Sequence, residues 1–283
     1  MNKIKLNSWG KFTDIDASQY GWKNVKELKT IITSNKSFIP SGNYRSYGDS
    51  AFSDNIINCK KNNTVISFDR SKGFLKVEAG ITLSQILSTI VPYGWFLGVT
   101  PGTKYSTLGG AIASDIHGKN HHINGCFSEY VSDIDLMLPS GSIVTLVKEN
   151  ELFKATCGGM GLTGVIVSAT IRLVKIKSTN INQTTIKTAN LSETFNVFDK
   201  YADETYSVAW FDGFASGSAF GRSIIQIGDF STDGDLKFKD QSIKFIPFKV
   251  FSIFLNKYFI RIFNFLYYTF TSSKKTKSKI HFT

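Results

Sequence analysis

The stretch GVTPGTKYSTLGGAIASDIHGKNHHINGC, Gly98 to Cys126, decides how the rest of the chain is read. Pro101-Gly102-Thr103 is a turn signal. Gly109-Gly110-Ala111 opens a run of small residues whose lack of bulk lets backbone N–H groups approach an anion. Asp115-Ile116-His117-Gly118-Lys119 then adds an acid, an imidazole and a cation. An upstream segment, GNYRSYGDSAF from Gly42 to Phe52, has the same character: glycines bracket Arg45, Ser46, Tyr47 and Asp49, with few helix formers. Two such loops predict one elongated ligand that carries both a phosphate and a ring.

The strings NYRSYGD and PGT…GGAIASDIHGKNHH resemble those of the FAD-binding oxidoreductases with a vanillyl-alcohol-oxidase-type (PCMH-type) flavin domain. Within that superfamily they are similar to the decaprenylphosphoryl-ribose 2′-oxidase family, and the similarity continues through Glu151 to Leu173 and Tyr206 to Phe214. The resemblance implies an α+β fold: a two-subdomain PCMH-type FAD-binding domain, residues 1–177, followed by part of an α+β substrate (cap) domain, residues 178–283. Family members continue beyond the position matching Thr283, so it also implies a C-terminally truncated chain. The activity implied is FAD-dependent oxidation of a sugar hydroxyl to a ketone, on the 2′-hydroxyl of a polyprenylphosphoryl ribose in cell-envelope arabinose synthesis. A separate short-chain NAD(P)H-dependent reductase is the implied partner. Oxidases of aldonolactones, alditols or hydroxy acids, and a flavin-binding fragment without turnover, stay open as alternatives.

FAD contacts are implied for Gly42, Asn43, Tyr44, Arg45, Ser46, Tyr47, Gly48 and Asp49 in the first loop. In the second they are implied for Gly102, Thr103, Thr107, Leu108, Gly109, Gly110, Ser114, Asp115, Ile116 and His117, with Ile166 at the adenine end. The first loop reads as a nest of N–H donors around the diphosphate, helped by Arg45 and Ser46; the bland alternative is a surface turn. Arg45 stands where covalent flavoproteins of the superfamily carry a tethering histidine, which implies non-covalent FAD, with His117 as the alternative tether. His117, Tyr47 and Lys119 are the implied catalytic group. Lys119 and Trp210 are the implied substrate contacts, against a solvated lysine and a core tryptophan. His117, His121 and His122 could form a metal cluster, but Gly118 intervenes and no third ligand has convincing spacing, so no metal is expected.

Composition narrows the classes. With 33 Lys plus Arg against 22 Asp plus Glu, the net charge of +11 favours phosphates, nucleic acid or an anionic membrane surface without choosing among them; with the resemblance, nucleic acid is not expected as a partner. Ten cations from Lys237 to Lys279 crowd the last fifth, where Asp240 is the only acid beyond residue 235. Cys59, Cys126 and Cys157 have neither disulfide nor zinc spacing and point to a reducing compartment. No signal peptide is visible, and Lys249, Lys257 and Arg261 interrupt the apolar segment 245–270 short of the roughly 20 residues a spanning helix needs. The expected location is cytoplasmic, with peripheral attachment to the inner membrane.

Periodicity predicts strands at TVISFD and FLKVEAG, a helix from Ile81 closed by Gly94, a hairpin across Pro139-Ser140-Gly141, a helix at Glu151–Thr156 and a strand over Val165–Ile176. CGGMGLTG holds a formal G-x-G-x-x-G at Gly159, Gly161 and Gly164. A helix before it and a strand after it reverse the Rossmann order, so these read as turn glycines. Beyond residue 177 the chain is polar and weakly patterned up to a helix at Phe195–Tyr201. YSVAWFDGF and GRSIIQIGDF then read as paired strands. In Val250–Leu266, Phe251, Phe254, Leu255, Tyr258, Ile262, Phe265 and Leu266 share one helical face, with Lys249, Asn256, Lys257, Arg261 and Asn264 opposite. That stripe is either a core helix or a membrane-surface helix with bound lipid-linked sugar phosphate nearby.

Overall fold

The chain opens with an antiparallel pair, β1 (Asn2–Asn7) and β2 (Asp14–Tyr20). The computed structural model describes residues 2–10, 14–34, 36–237 and 256–279. Helix α1 (Val25–Ile32) starts at Asn24, whose side chain accepts from the Glu27 amide at 3.0 Å. Strands β3 (Ile39–Ser41) and β4 (Asn55–Asn58) complete a four-stranded sheet in the order β1-β2-β4-β3.

A second sheet follows. β5 (Val65–Asp69) and β6 (Phe74–Glu78) form its first hairpin. Helix α2 (Leu83–Ile90) is fixed by a capping box between Thr82 and Gln85 and closed by Gly94 in the left-handed region. Strand β7 (Trp95–Leu97), helix α3 (Leu108–Ala113) and a one-turn helix α4 (His121–Asn124) lead into the hairpin of β8 (Val131–Met137) and β9 (Ile143–Val147), turned at Gly141 with φ +77°. Helix α5 (Glu151–Thr156) precedes β10 (Val165–Lys175), which pairs with β6, β8 and β7 and is the spine of the sheet. The helix-then-strand order around CGGMGLTG is the order read from sequence. Trp22, Leu28 and Ile57 from the first sheet and its helix share one core with Met137 and Val165 of the second, so the two sheets form one compact unit, residues 1–118 and 124–175.

Residues 119–123 and 176–283 form the other unit. Its sheet contains β11 (Asn180–Thr188), β12 (Tyr206–Phe211), β13 (Ser223–Phe230) and β14 (Lys274–Lys279) in the order β12-β13-β11-β14, all antiparallel. Helix α6 (Leu191–Lys200) begins four residues earlier than periodicity predicted, because Asn190 caps it through the Glu193 amide. Thr194 of α6 bonds Thr188 at 2.7 Å across to the sheet. Helix α7 (Lys257–Phe270) is capped by Asn256. The core-helix reading of the stripe is corrected here: Asn264, on the side opposite the stripe, is the buried residue, while Tyr258, Ile262, Phe265 and Leu266 are exposed. Lys249, Phe251, Phe254 and Leu255 lie outside the described residues. Helices together with sheets that are antiparallel except where β4 pairs parallel with β2 and β3 make the fold α+β.

A half-buried carboxylate in the first unit, Asp135, and a buried one in the second, Asp212, couple stability to acid. Burial alone would raise Asp135, but Lys76 at 2.8 Å, Ser168 at 2.6 Å and Thr145 at 2.8 Å hold it below its ordinary value. Asp212 is likewise opposed by burial and held low by Arg222, Asn264 and the Phe214 amide. A depressed carboxylate contributes its full stability above the unfolded value and loses it as pH falls through the folded one. Melting temperature is therefore expected to hold above about pH 5 and to drop steeply below about pH 4. Asp135→Asn should flatten that drop in a pH series of melts; an unchanged slope would remove Asp135 from the acid transition.

Candidate functional site

The Gly42–Asp49 loop joins β3 to β4 and is held from inside. The Tyr44 hydroxyl accepts from Gln19 Nε2 at 3.0 Å, Ser41 Oγ at 3.1 Å and Asn58 Nδ2 at 3.4 Å, which anchors a backbone with φ +52°. Asn43 Nδ2 donates to the Tyr105 carbonyl at 2.9 Å. The Ser46 and Asp49 carbonyls accept from Trp9 N and Phe52 N, while no amide from Asn43 to Asp49 finds an acceptor among the described residues. Arg45 packs over the Tyr105 ring at 5.5 Å, and its Nε is buried without a hydrogen-bond partner among the described residues. A buried charged donor left unpaired is costly, and an anion seated in the loop would satisfy it.

The second loop differs from its sequence expectation. The amides at the start of α3 are already engaged: Leu108 donates to Ile81, Gly109 to Ala79, Gly110 to Thr107 Oγ1 and Ala111 to the Thr107 carbonyl. Gly109 and Gly110 therefore do not offer N–H groups to an anion; that task falls to the first loop. The glycines of α3 serve proximity instead. A Cβ on Gly109 would meet Ala79 at 3.1 Å, whereas one on Gly110 would meet only Thr107 Oγ1, also at 3.1 Å. Gly48 and Gly102 have nothing within 4 Å of an added Cβ and no positive φ. Neither conformation nor packing within the protein demands glycine there, so the open space beside them fits a bound group that approaches the backbone.

The far end of α3 is clamped by the glycine turn. Gly158 and Met160 donate to Ile112 and Ala113, and Ser114 Oγ lies 3.8 Å from Met160 Sδ. The Asp115 carboxylate accepts from Ser128 N at 2.9 Å and Ser128 Oγ at 3.0 Å, an anchoring role. Tyr44, Asp115 and Met160 are the non-glycine residues with positive φ among the described residues, and all three lie in these loops. Such strain persists where the surroundings over-determine it, as at ligand sites. Ile166 sits where the β10–β8 register slips by one residue. The loop amides, the unpaired Arg45 guanidinium and the glycine-lined opening together fit a dinucleotide diphosphate with a flat ring system.

Residues 23–147 match the family described as FAD binding domain. This segment is an FAD-binding domain. The chain is 34% identical over 236 residues to decaprenylphosphoryl-beta-D-ribose oxidase of Mycolicibacterium smegmatis, covering 79% of this chain and 51% of that protein. It is 28% identical over 165 residues to D-arabinono-1,4-lactone oxidase of Kluyveromyces lactis, covering 55% and 31%. With Delta(24)-sterol reductase of Homo sapiens it shares 30% identity over 115 residues, 40% of this chain and 22% of that one. The chain thus spans about half the length of the mycobacterial relative and less of the others.

The remaining sequence-assigned residues divide between the two units. Beside the FAD-binding loops, Tyr47 is exposed and packs edge-on against Trp9 at 5.3 Å. His117 is exposed, and its backbone bridges to Cys126. Lys119 belongs to the second unit, where its carbonyl accepts from Ser207 of β12 at 2.9 Å, on the strand that carries Trp210. Trp210 is half-buried, edge-on to Tyr267 at 5.0 Å. His122 Nε2 lies 3.0 Å from the Glu204 carbonyl. The structure thus places the two substrate-assigned residues in one unit. Sequence reading missed Tyr105, the ring under Arg45; its position between Lys104 and Ser106 in a Gly/Thr-rich loop was the available signal. The three cysteines are free thiols, and burial pushes Cys59 and Cys157 up to about 12, which makes them unreactive at neutral pH.

Proposed function

We propose that this protein is an FAD-dependent oxidoreductase that oxidises a sugar hydroxyl to a ketone, its substrate being the 2′-hydroxyl of a polyprenylphosphoryl ribose. The observation that carries this is the loop whose amides and buried Arg45 Nε have no partner among the described residues, in a chain 34% identical to an oxidase whose name specifies a lipid-linked ribose. Bound FAD supplies the hydride acceptor. The protein's own groups hold and orient: the Asn43–Asp49 amides and Arg45 take the diphosphate, and Gly48, Gly102 and Gly110 leave room for the cofactor. In this reading His117 and Tyr47 orient the reacting hydroxyl, Lys119 supplies a cation for the substrate phosphate, and Trp210 walls the sugar. The keto product suits a short-chain NAD(P)H-dependent reductase that returns it to an alcohol.

Arginine rather than histidine at position 45 makes the flavin dissociable. Acid precipitation of the purified protein is expected to leave yellow flavin in the supernatant. Flavin in the pellet would contradict non-covalent binding, and a folded chain that takes up no FAD would remove the function altogether. Substrate class is read by anaerobic bleaching of the flavin absorbance, expected with polyprenylphosphoryl ribose and not with free ribose. Bleaching by an aldonolactone alone would transfer the reading to the lactone oxidases, which the Kluyveromyces relative represents.

A further inference from the structure

Arg45 is a half-buried cation held without a counter-charge. Among the described residues no carboxylate pairs with it, and its Nε is buried with no hydrogen-bond partner. What lies against it is a ring: the guanidinium carbon is 5.5 Å from the centroid of Tyr105. Lys104, itself buried, brings its Nζ to 5.3 Å from the same centroid. Two cations therefore draw on one aromatic ring.

Tyr105 is fixed through its backbone. Its carbonyl accepts from Asn43 Nδ2 at 2.9 Å, and its amide donates to Thr103 Oγ1 at 3.3 Å. The first of these bonds ties the second loop to the first only two residues before Arg45, so ring and guanidinium are brought together by a link that does not depend on the Tyr105 side chain. The Tyr105 hydroxyl has no hydrogen-bond partner among the described residues, so within the protein the side chain acts through its face. That chemistry suits a ligand still to come. A carboxylate beside Arg45 would accept its N–H groups and cancel its charge, in competition with any incoming anion. An aromatic face attracts the guanidinium through its quadrupole and offers it no carboxylate lone pair, so charge and donors stay available. It also fixes a long side chain before the ligand arrives, which lowers the ordering cost of binding. We propose that Tyr105 is the positioning residue that holds Arg45 pre-oriented for the FAD diphosphate, acting through its ring face rather than its hydroxyl. This rests on the reading that the Gly42–Asp49 loop seats that diphosphate.

The test titrates the full apo chain with FAD, followed by flavin fluorescence, and then displaces FAD with ADP, which carries the diphosphate without the flavin ring. Tyr105→Leu keeps bulk but removes the π-face, and is expected to weaken both ligands about tenfold while the apo melting temperature stays unchanged. Tyr105→Phe is expected to bind both like wild type. Arg45→Met should weaken both as well, and adding Tyr105→Leu to it should change little further, because the ring then has no guanidinium to hold. Equal losses from Tyr105→Leu with and without Arg45, a phenylalanine variant as weak as the leucine one, or a loss confined to FAD each overturn the proposal. So does a leucine variant that fails to fold or melts early, which would make the ring core packing. A wild-type chain that binds FAD, with a leucine variant that binds it equally well, overturns this proposal alone. A wild-type chain that takes up no FAD, or from which ADP displaces none, overturns the diphosphate reading beneath it as well.

Discussion

Gly110→Val is expected to strip the flavin from the protein while leaving the apo fold standing. Residue 110 lies within α3, where valine is a slightly better helix former than glycine. The one protein atom near an added Cβ is Thr107 Oγ1 at 3.1 Å, a side-chain hydroxyl that can give by a few tenths of an ångström. The protein itself thus tolerates the substitution, and the branched side chain enters the space assigned to the cofactor. A clash of that kind costs about 1–3 kcal/mol, roughly ten- to a hundredfold in FAD affinity. Gly42→Val is the contrasting control, since its Cβ would fall 2.2 Å from Thr107 Oγ1 and disrupt the junction of both loops. Flavin occupancy by absorbance and melting temperature of the apo forms separate the two effects, because bound cofactor itself raises the holo melting temperature. A Gly110→Val protein that retains full flavin would take α3 out of the cofactor site.

The second large effect lies at Asp212. Its side chain is 2% exposed, and Arg222 reaches it with Nε at 2.9 Å and a terminal nitrogen at 2.7 Å. Arg222→Ala would leave a buried carboxylate with only Asn264 and the Phe214 amide for partners, and is expected to destabilise the second unit by about 3–5 kcal/mol. The same change removes the guanidinium packed 4.6 Å from the Tyr268 ring, so α7 loosens as well. Asp212→Asn combined with Arg222→Met should cost much less, because no unpaired charge remains. Urea unfolding followed by fluorescence reads this locally, since Trp210 belongs to the second unit and Trp9, Trp22 and Trp95 to the first. Equal losses in the single and double variants would show that shape, not charge pairing, matters at this position.

Much of the first unit was legible because its elements obey local rules. The β8–β9 hairpin follows from Gly141, helix α5 runs over the Glu151–Thr156 span that its sequence predicted, and β10 follows from an alternating β-branched run. The second unit's centre was not legible. Strand β11 reads NINQTTIKT, polar on both faces, and sits inside its sheet because Thr188 bonds Thr194 of α6 and the Ser223 carbonyl of β13, Thr185 accepts from Gln183 within the strand, and Asn180 donates to Asp233. β14, KKTKSK, has no apolar alternation at all and is a strand because β11 offers it a partner. In the site, glycine-rich composition located both loops. It could not distinguish amides without an acceptor among the described residues, Asn43 to Asp49, from amides already engaged, Leu108 to Ala111, because that depends on the distant carbonyls of Ala79 and Ile81. The inverted helix α7 escaped for a related reason: a hydrophobic stripe identifies a face, and only Asp212, far away in sequence, determines which side turns inward.

Residues 119–123 leave the FAD-binding unit, lodge against β12 and Glu204 through Lys119 and His122, and return at Asn124. The second unit is therefore not a contiguous stretch of polypeptide, and no single cut releases it. Cleavage after residue 175 would separate the strand and the carbonyl from the five residues that rest on them, leaving KNHHI in the wrong fragment. Swapping this unit between related proteins, by recombination in a genome or by splicing at the bench, means exchanging two separated tracts at once. The bonds that seat the KNHHI tract run to backbone atoms of Glu204 and Ser207, so they hold across more than eighty intervening residues whatever side chains those positions carry.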